Sequence, residues 1–457
     1  MGLAALALYS QTLAPTVLQA DGGEFQFVPW LPGIAHPTGY PLYVLLGWVW
    51  THALPWGSVA WRMNLLSAVL AALAVSLTYA VTRQILAQTA AETPTGGQRV
   101  IAAATAVTFA VTATFWSQAI IAEVYALHTL FVAAIIGLAL NYGLQKKSAY
   151  SYLLALLFGL GLTHHITTIL LLPALLVYLW LANRWAGPES SAFDKIKWLA
   201  AHAGLAALPL LLYLYLPLAA PNTPYATLHL SESQPLVLYE NSLRGFVQHV
   251  TATVFTGEVR PAAVGAERLA LTWQLLRQQI GWAGILLAGL GLVVLWQQRR
   301  DILALTGLGF IAIAGFNLIY FIGDVYVLFI PAWLLVCLWL GVGALSVAHG
   351  LARRFVQRKL GAPEESAVGY LTGRLKQNML GLTTAGLSLF FFALPLTLLA
   401  TQFDTVTQAA NIEAEQRWQQ ILAEPLPPAA VLLSNDRNEM MPMWYYQYVE
   451  HRRPDLL

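Results

Sequence analysis

The chain carries a succession of apolar runs, several of them close to or beyond the roughly 20 residues a helix needs to cross a bilayer. Ser58–Ala80, Trp198–Leu218, Ile302–Ile322 and Val325–Ala348 are the clearest. Such runs leave few folds open, because in hydrocarbon every backbone N–H and C=O must be paired inside its own helix. Composition agrees: the 457 residues are 58% hydrophobic and 10% charged, against roughly 25% charged in a soluble domain. The expected class is an all-α polytopic membrane protein, and a soluble multidomain enzyme is excluded. A formal net charge of +2 makes no case for a nucleic-acid partner, since in a membrane chain the side on which charge lies matters more than its sum. Cys337 is the one cysteine, which excludes an internal disulfide and a CxxC metal site.

Taken in order, Met1–Ala20 has no basic n-region and no cleavage pattern, and reads as a short first span, clipped at its start. Pro41–Leu54 is apolar for only about 14 residues, which suits an interfacial or re-entrant helix better than a span. Further spans are expected at Ser58–Ala80, Val100–Phe115, Val124–Tyr142, Tyr152–Leu162, Thr167–Leu181 and Trp198–Leu218. Ile280–Trp296, Ile302–Ile322, Val325–Ala348 and Met379–Ala400 bring the expectation to about eleven.

Charge placement tests this count. With the N-terminus inside, fifteen of the 24 lysines and arginines fall on the cytoplasmic side, among them Arg83, Arg99, Lys146, Arg184, Arg299 and Lys359. The nine on the other side, which include Arg62, Arg244, Arg268 and Arg437, contain no lysine. Counting Pro41–Leu54 as a span would scramble that segregation. The same parity gathers Asp21, Glu24, His36, Glu123, His164, His165 and Asp324 on the non-cytoplasmic face. Ionisable groups at a membrane edge are costly and usually functional, so their collection on one face points to a single site.

The richest stretch is DGGEFQFVPWLPGIAHPTGYP, Asp21 to Pro41. Asp21 and Glu24 stand where a helix would leave the bilayer, and Gly22 and Gly23 between them remove Cβ atoms that would limit approach to a ligand. The same spacing also suits a capping box with Asp21 at the N-cap. His36 to Pro41 form a rigid bend with one imidazole and Tyr40, because proline restricts itself and its predecessor. Glu123 sits in WSQAIIAEVYALH, where Trp116 and Tyr125 suit an aromatic interface belt, and it is either a solvated loop glutamate between spans or a third wall of the acidic cleft. His164 and His165 end a glycine-punctuated helix; they either cap helix-end carbonyls or contact phosphate or sugar, and no other ligands stand at spacing suited to zinc. Arg62 either snorkels to headgroups or clamps a phosphate. Asp324, alone in a tight turn between apolar runs, is expected to act in the site or to cap the next helix.

Two pieces lie outside the membrane. Residues 219–279 form a second external loop with an amphipathic stretch, NSLRGFVQHVTATVF, suited to the membrane surface; residues 19–57 are the first. Beyond a transmembrane domain of residues 1–400, residues 401–457 read as a small, incomplete α/β unit: a helix IEAEQRWQQIL, a strand AAVLLS, and a helix opened by Asn435 and Asp436. No P-loop, GxSxG, HExxH or GxGxxG motif occurs. What remains is carboxylate chemistry at the outer membrane boundary, with a substrate that arrives through lipid.

The stretches DGGEFQF, AHPTGYPLY, AWRMNLLSA, FWSQAIIAEVYALHTLF, GLGLTHH, YLYLP and NDRNEMMPMWYYQYVEHRRPD together resemble a family of bacterial membrane proteins. That family is related to the eukaryotic transmembrane protein O-mannosyltransferase acting on plexin-type domains. The resemblance implies a GT-C fold and transfer of a hexose, with inversion, from a polyprenyl-phosphate donor to a hydroxyl of protein or glycan. It implies Asp21 as catalytic base and Glu24 as its partner; His36, Tyr40, Arg62, Glu123, Tyr125, His164, His165 and Asp324 are the expected substrate-binding groups. The lipid-linked sugar is a co-substrate, and the scheme calls for no cofactor and no metal. The expected location is the bacterial cytoplasmic membrane, with the site on the extracytoplasmic face. A lipid-linked saccharide transporter, which would need polar groups near the bilayer midplane, and a non-catalytic membrane subunit are the alternatives.

Overall fold

The computed structural model describes the chain apart from residues 91–92, 183–190, 232–233, 361–366, 433, 435 and 457, and apart from the side chains of 229–234 and 360–374. Arg184 and Asn435 therefore lie outside the described residues. Among the described residues seven helices are long and apolar enough to cross a membrane, or eight if a pair bent by 70° counts as one span. The protein is an all-α polytopic membrane protein whose one small sheet is an antiparallel hairpin.

Helix α1 (Gly2–Thr12) has 11 residues, about 16 Å at 1.5 Å per residue. It lies against the bundle, with the Tyr9 hydroxyl donating to the Ala110 carbonyl at 2.8 Å, and it is not among the seven helices long and apolar enough to cross. Helices α2 (Ala20–Phe27) and α3 (Pro41–Ala53) follow before the first long helix, α4 (Val59–Thr89). Ser58 caps α4 by accepting from the Trp61 N–H, a hydroxyl satisfying a free helix-start donor. Helices α5 (Thr95–Ala110) and α6 (Ala113–Ala119) are the bent pair.

Helix α7 (Tyr125–Gln145) crosses back, and α8 (Ser148–His164) with α9 (Leu172–Leu181) makes a short hairpin. Two of the segments expected to span, Tyr152–Leu162 and Thr167–Leu181, lie in this hairpin, where neither helix reaches the length of the seven. With α1 they account for the difference from eleven.

Helices α10 (Ala192–Ala207) and α11 (Tyr215–Ala219) form one long rod interrupted by a 3-10 turn. The second external loop holds the hairpin of β1 (Thr227–Ser231) and β2 (Gln234–Val237) and the amphipathic α12 (Leu243–Val250). Helix α13 (Ala266–Gln298) begins earlier than the apolar run and breaks at Gly281, where φ is +61°. Helices α14 (Arg300–Ile319) and α15 (Val325–Leu328) lead to α16 (Ile330–Leu360).

Residues 330–345 of α16 are hydrophobic all round but for glycines and are buried, as a helix at the centre of a bundle must be. It touches α13 backbone to backbone: a Cβ at Gly291 would lie 1.9 Å from the Trp339 carbonyl, and one at Gly343 2.0 Å from that of Leu287. Small residues allow this approach in lipid, where close packing replaces the hydrophobic drive. Outward-facing Leu286, Leu382 and Phe390 are more than two-thirds exposed, an apolar belt for lipid.

Helices α17 (Ala367–Leu389) and α18 (Ala393–Val406) complete the bundle, and α19 (Glu413–Ala423) and α20 (Arg437–Tyr448) close the chain. Among the described residues beyond 400 there is no strand, and Leu433 of the run AAVLLS lies outside the described residues. Two helices dock on the bundle there.

Candidate functional site

Helix α2 begins after Gln19, with Asp21 in its first turn and no side-chain cap. The capping-box alternative therefore falls, and both carboxylates are free for other partners. Glu24 is buried, at 5% exposure, and accepts the His36 backbone N–H at 2.7 Å and the His36 Nδ1–H at 2.7 Å. The Arg437 guanidinium supplies what is left: Nη1 stands 2.8 Å from Asp21 Oδ1, and Nη2 pairs with Glu24 Oε2. Arg437 opens α20, whose first turn is capped by Asp436. Sequence reasoning missed it; the available signal was an arginine on the face that carries no lysine.

The glycines of DGGE serve packing as well as access. A Cβ at Gly23 would meet the Leu18 carbonyl at 2.3 Å and Met441 of α20 at 3.0 Å. The expectation that Gly23 clears room for a ligand is thus replaced by close docking of α20 on α2, while Gly22 does face the cavity. Tyr445 accepts the Ala60 N–H at 3.2 Å, and Trp444 packs 6.0 Å from Phe27 and 5.3 Å from Tyr225.

His36 is held in place from the second external loop. Tyr215, Tyr225 and His249 donate in turn to the carbonyls of Gly33, Ile34 and Ala35, at 3.0, 3.1 and 3.0 Å. Three consecutive carbonyls are satisfied by three separated side chains, as buried backbone requires. Beneath α2, Asn64 of α4 accepts from Gln26 and from the Ala122 N–H, both at 2.9 Å, and donates to the Ala14 carbonyl. The Glu123 N–H lies 3.2 Å from Ser67 Oγ. One face of α4 thus sets α2 beside the loop that carries Glu123.

A cavity of about 500 Å³ opens between these parts, lined by Asp21, Glu123, Tyr125, Asp324, Tyr326 and Glu413 among others. Asp324 precedes α15 without capping it. Glu24, His36 and Tyr40 form the layer behind Asp21, with the His36 and Tyr40 rings 5.2 Å apart. His165 lies 6.1 Å from Tyr40, 5.9 Å from Tyr125 and stacks on His128 at 4.5 Å. His164 is fully buried and donates through Nε2 to the Val124 carbonyl at 2.8 Å, so it fixes the loop between Glu123 and Tyr125. Arg62 is not part of this assembly. Its guanidinium binds the carbonyls of Thr51, Trp56 and Gly57, which corrects the expected phosphate clamp to a brace for the α3–α4 turn.

The electrostatics divide the carboxylates. Burial works to raise Glu24, but the charge and hydrogen bond of His36, with Arg437 behind them, outweigh it and hold the group at about 2. Burial works to lower His36, and Glu24 with Asp21 overrides that and raises it. Glu123 is raised well above the ordinary carboxylate range, first by burial and then by the charges of Asp21 and Asp324. Asp324 is raised by the same two causes, burial first and Asp21 after it. The site therefore favours the charged form of Glu24 and disfavours that of Glu123. Asp21, Glu24 and His36 also offer ligand atoms within 4.8 Å of one another, a set that could hold a divalent ion. Arg437 already occupies both carboxylates, so an ion there would have to displace it.

The architecture has solved counterparts. ArnT from Cupriavidus metallidurans bound to undecaprenyl phosphate superposes with a TM-score of 0.59 at 13% identity, over 96% of this chain and 83% of that one. The fold is GT-C-like. The apo oligosaccharyltransferase of Archaeoglobus fulgidus also matches this GT-C-like chain, with a TM-score of 0.50 at 13% identity, over 99% of this chain and 63% of that one. Residues 21–187 match the family model described as the protein O-mannosyl-transferase TMEM260 N-terminal domain. Protein O-mannosyl-transferase TMEM260 of Mus musculus is 28% identical over 247 residues, 53% of this chain and 32% of that protein. Its counterpart in Dictyostelium discoideum is 38% identical over 74 residues, 16% of this chain and 9% of that protein. The matched part of the GT-C-like chain thus spans a third or less of these relatives. The family-model match, residues 21–187, includes Asp21, Glu24, His36 and Glu123 and stops short of Asp324 and Arg437.

Proposed function

We propose that the chain is a membrane glycosyltransferase that moves a hexose from a polyprenyl-phosphate donor to a hydroxyl on protein or glycan, with inversion at the anomeric carbon. The observation that carries this is Asp21, paired with an arginine and standing at the rim of a cavity lined by further carboxylates and tyrosines. Hydroxyl acceptors and sugar rings are bound by such groups, and a positioned carboxylate is the usual general base for a hydroxyl nucleophile. The O-mannosyl-transferase match across residues 21–187 and the fold shared with a protein crystallised with undecaprenyl phosphate support the same chemistry.

In this scheme the Asp21 carboxylate takes the acceptor proton as the acceptor oxygen attacks C1. Glu24, saturated by His36 and Arg437, positions Asp21 and has no capacity left to bind substrate. Glu123, Tyr125 and Asp324 contact the sugar or the acceptor from the cavity wall, with Glu123 donating. Tyr40 and His165 form the aromatic floor, and His164 positions the Glu123 loop; no substrate contact is assigned to Arg62. The transmembrane part and the two C-terminal helices act as one unit, because Arg437 completes the acid pair. The site opens on the extracytoplasmic face of a bacterial cytoplasmic membrane, opposite the end that gathers the lysines.

Purified protein in detergent or vesicles, given prenyl-phosphate mannose or glucose labelled in the sugar, should move label to protein or glycan acceptors. Asp21→Asn should stop this with the protein still folded. Normal transfer by that variant, or no transfer from any prenyl-phosphate sugar, overturns the proposal.

A further inference from the structure

We propose that Arg437 is a catalytic residue whose guanidinium passes from Asp21 to the departing lipid phosphate as the base takes up its proton. This rests on the glycosyl-transfer reading above and names the group that receives the leaving phosphate.

Among the described residues Arg437 is the one arginine or lysine paired with these acids. It bridges both: Nη1 to Asp21, whose side chain is 31% exposed, and Nη2 to the deeply buried Glu24. Its own side chain is 46% exposed, so part of the fork still faces outward. The two grips differ in kind. Glu24 is enclosed and doubly bonded to His36, a fixed anchor. Asp21 lines the cavity and is the group the reaction titrates. The arginine does not sit on a loose tail, since α20 is docked by Met441 on Gly23, by Tyr445 on Ala60 and by Trp444 on Phe27 and Tyr225.

The charge balance of transfer supplies the trigger. The acceptor O–C1 bond forms, and the C1–O bond to phosphate breaks with its electron pair left on the phosphate oxygen. The acceptor proton moves to an Asp21 oxygen. The lipid phosphate turns from a monoanionic diester into a monoester carrying about −1.5 to −2 at pH 7. Asp21 meanwhile becomes neutral and loses its hold on Nη1. One guanidinium nitrogen is thus released as a second charge appears on phosphate, and the arginine fork suits that oxygen geometry. Glu24 keeps the rest of the fork in register throughout. After transfer the arginine holds the product phosphate until Asp21 gives up its proton to water.

Binding of the product lipid isolates this step from turnover. Full-length protein is titrated with a short-chain prenyl phosphate, with the matching prenyl alcohol and with inorganic phosphate. Arg437→Gln should weaken prenyl-phosphate binding tenfold or more and leave prenyl-alcohol binding unchanged. Asp21→Asn, which frees Nη1 in advance, should tighten prenyl-phosphate binding severalfold while abolishing transfer. That opposite pair of shifts is not what a merely structural arginine would give, and the Asp21 variant carries the test alone if Arg437→Gln does not fold. Unchanged prenyl-phosphate affinity in either folded variant overturns the inference, as does equal affinity for inorganic phosphate. If both shifts occur and no sugar transfer is found, the phosphate site stands and the glycosyl-transfer reading falls.

Discussion

The two ends of the helix bundle use charge in opposite ways. At the end that holds Arg83, Lys197, Arg300 and Lys359, each cation lies over an aromatic ring four residues earlier in its own helix. The partners are Tyr79, Phe193, Trp296 and Phe355, at 5.9, 4.2, 5.0 and 5.6 Å. These are one-turn contacts that let a long side chain reach the headgroups while its stem stays apolar. At the other end the polar contacts of the site join distant parts of the chain: the ion pair of Arg437 with Glu24 spans 413 positions, and the hydrogen bond of Tyr225 to the Ile34 carbonyl spans 191. The four pairs of the basic end need no particular tertiary arrangement, because a helix supplies its own geometry, while Arg299 at the same end also reaches Gln88 of α4. The acidic end exists only when α2, α20 and the second external loop are all in place. Local pairs orient a protein in a membrane, and long-range pairs build a site.

The sharpest way to break this contrast is to remove one charge from each end. Asp21→Asn should lower transfer by roughly 10²–10⁴, the range lost with a general base, with little change in melting temperature. Arg300→Gln should leave transfer within about twofold, as exposed surface charges contribute little. Similar losses at both ends would refute the division, and label transfer from a prenyl-phosphate sugar measures it.

Glu24→Gln tests whether the acidic end is held by buried pairing. It leaves His36 and Arg437 without their shared anion, and breaking a buried pair costs about 3–5 kcal/mol. A large fall in thermal stability is expected, together with loss of transfer.

The pH response should differ as well. Glu24, held at about 2 against an ordinary 4.5, contributes stability that is present above 4.5 and lost as pH falls toward 2. His36 is raised above 6.5, so its contribution is complete below 6.5 and fades as pH climbs through the raised value. Melting temperature should therefore be highest between those limits and decline on the alkaline side. His36→Gln should flatten the alkaline decline, and an unchanged slope would count against the pair.

The smallest effects should come from the supports. Arg62→Ala should cost about 1–2 kcal/mol through lost bonds to the Thr51, Trp56 and Gly57 carbonyls, with transfer lowered less than threefold. Tyr225→Phe should cost about 1 kcal/mol and lower transfer modestly by loosening the segment before His36. A strong rise in the donor KM with Arg62→Ala would restore it to the site.

Much of the acidic end was legible in the chain. Charge segregation and loop parity alone group Asp21, Glu123 and Asp324, and all three line one cavity. That worked because the bilayer forces ionisable residues to its edges and sorts them by side. Arg62 went astray for a physical reason: its charge was visible, but whether a guanidinium faces a ligand or three carbonyls of its own turn depends on the path from Thr51 to Gly57. Tyr215, Tyr225 and His249 carried no signal, since a side chain that binds a distant carbonyl looks like any aromatic in a loop.

By itself the sequence determined that this protein lives in a membrane as a helical bundle with its lysines gathered at one end, and it pointed to the first loop as the place to look for chemistry. Hydropathy and charge act residue by residue, so they can be read along a line. Only the tertiary structure decided that a helix near residue 440 closes the site opened at residue 21, and that Arg437 stands between its two acids. Such pairings depend on where the bundle brings remote segments together, which no local pattern records.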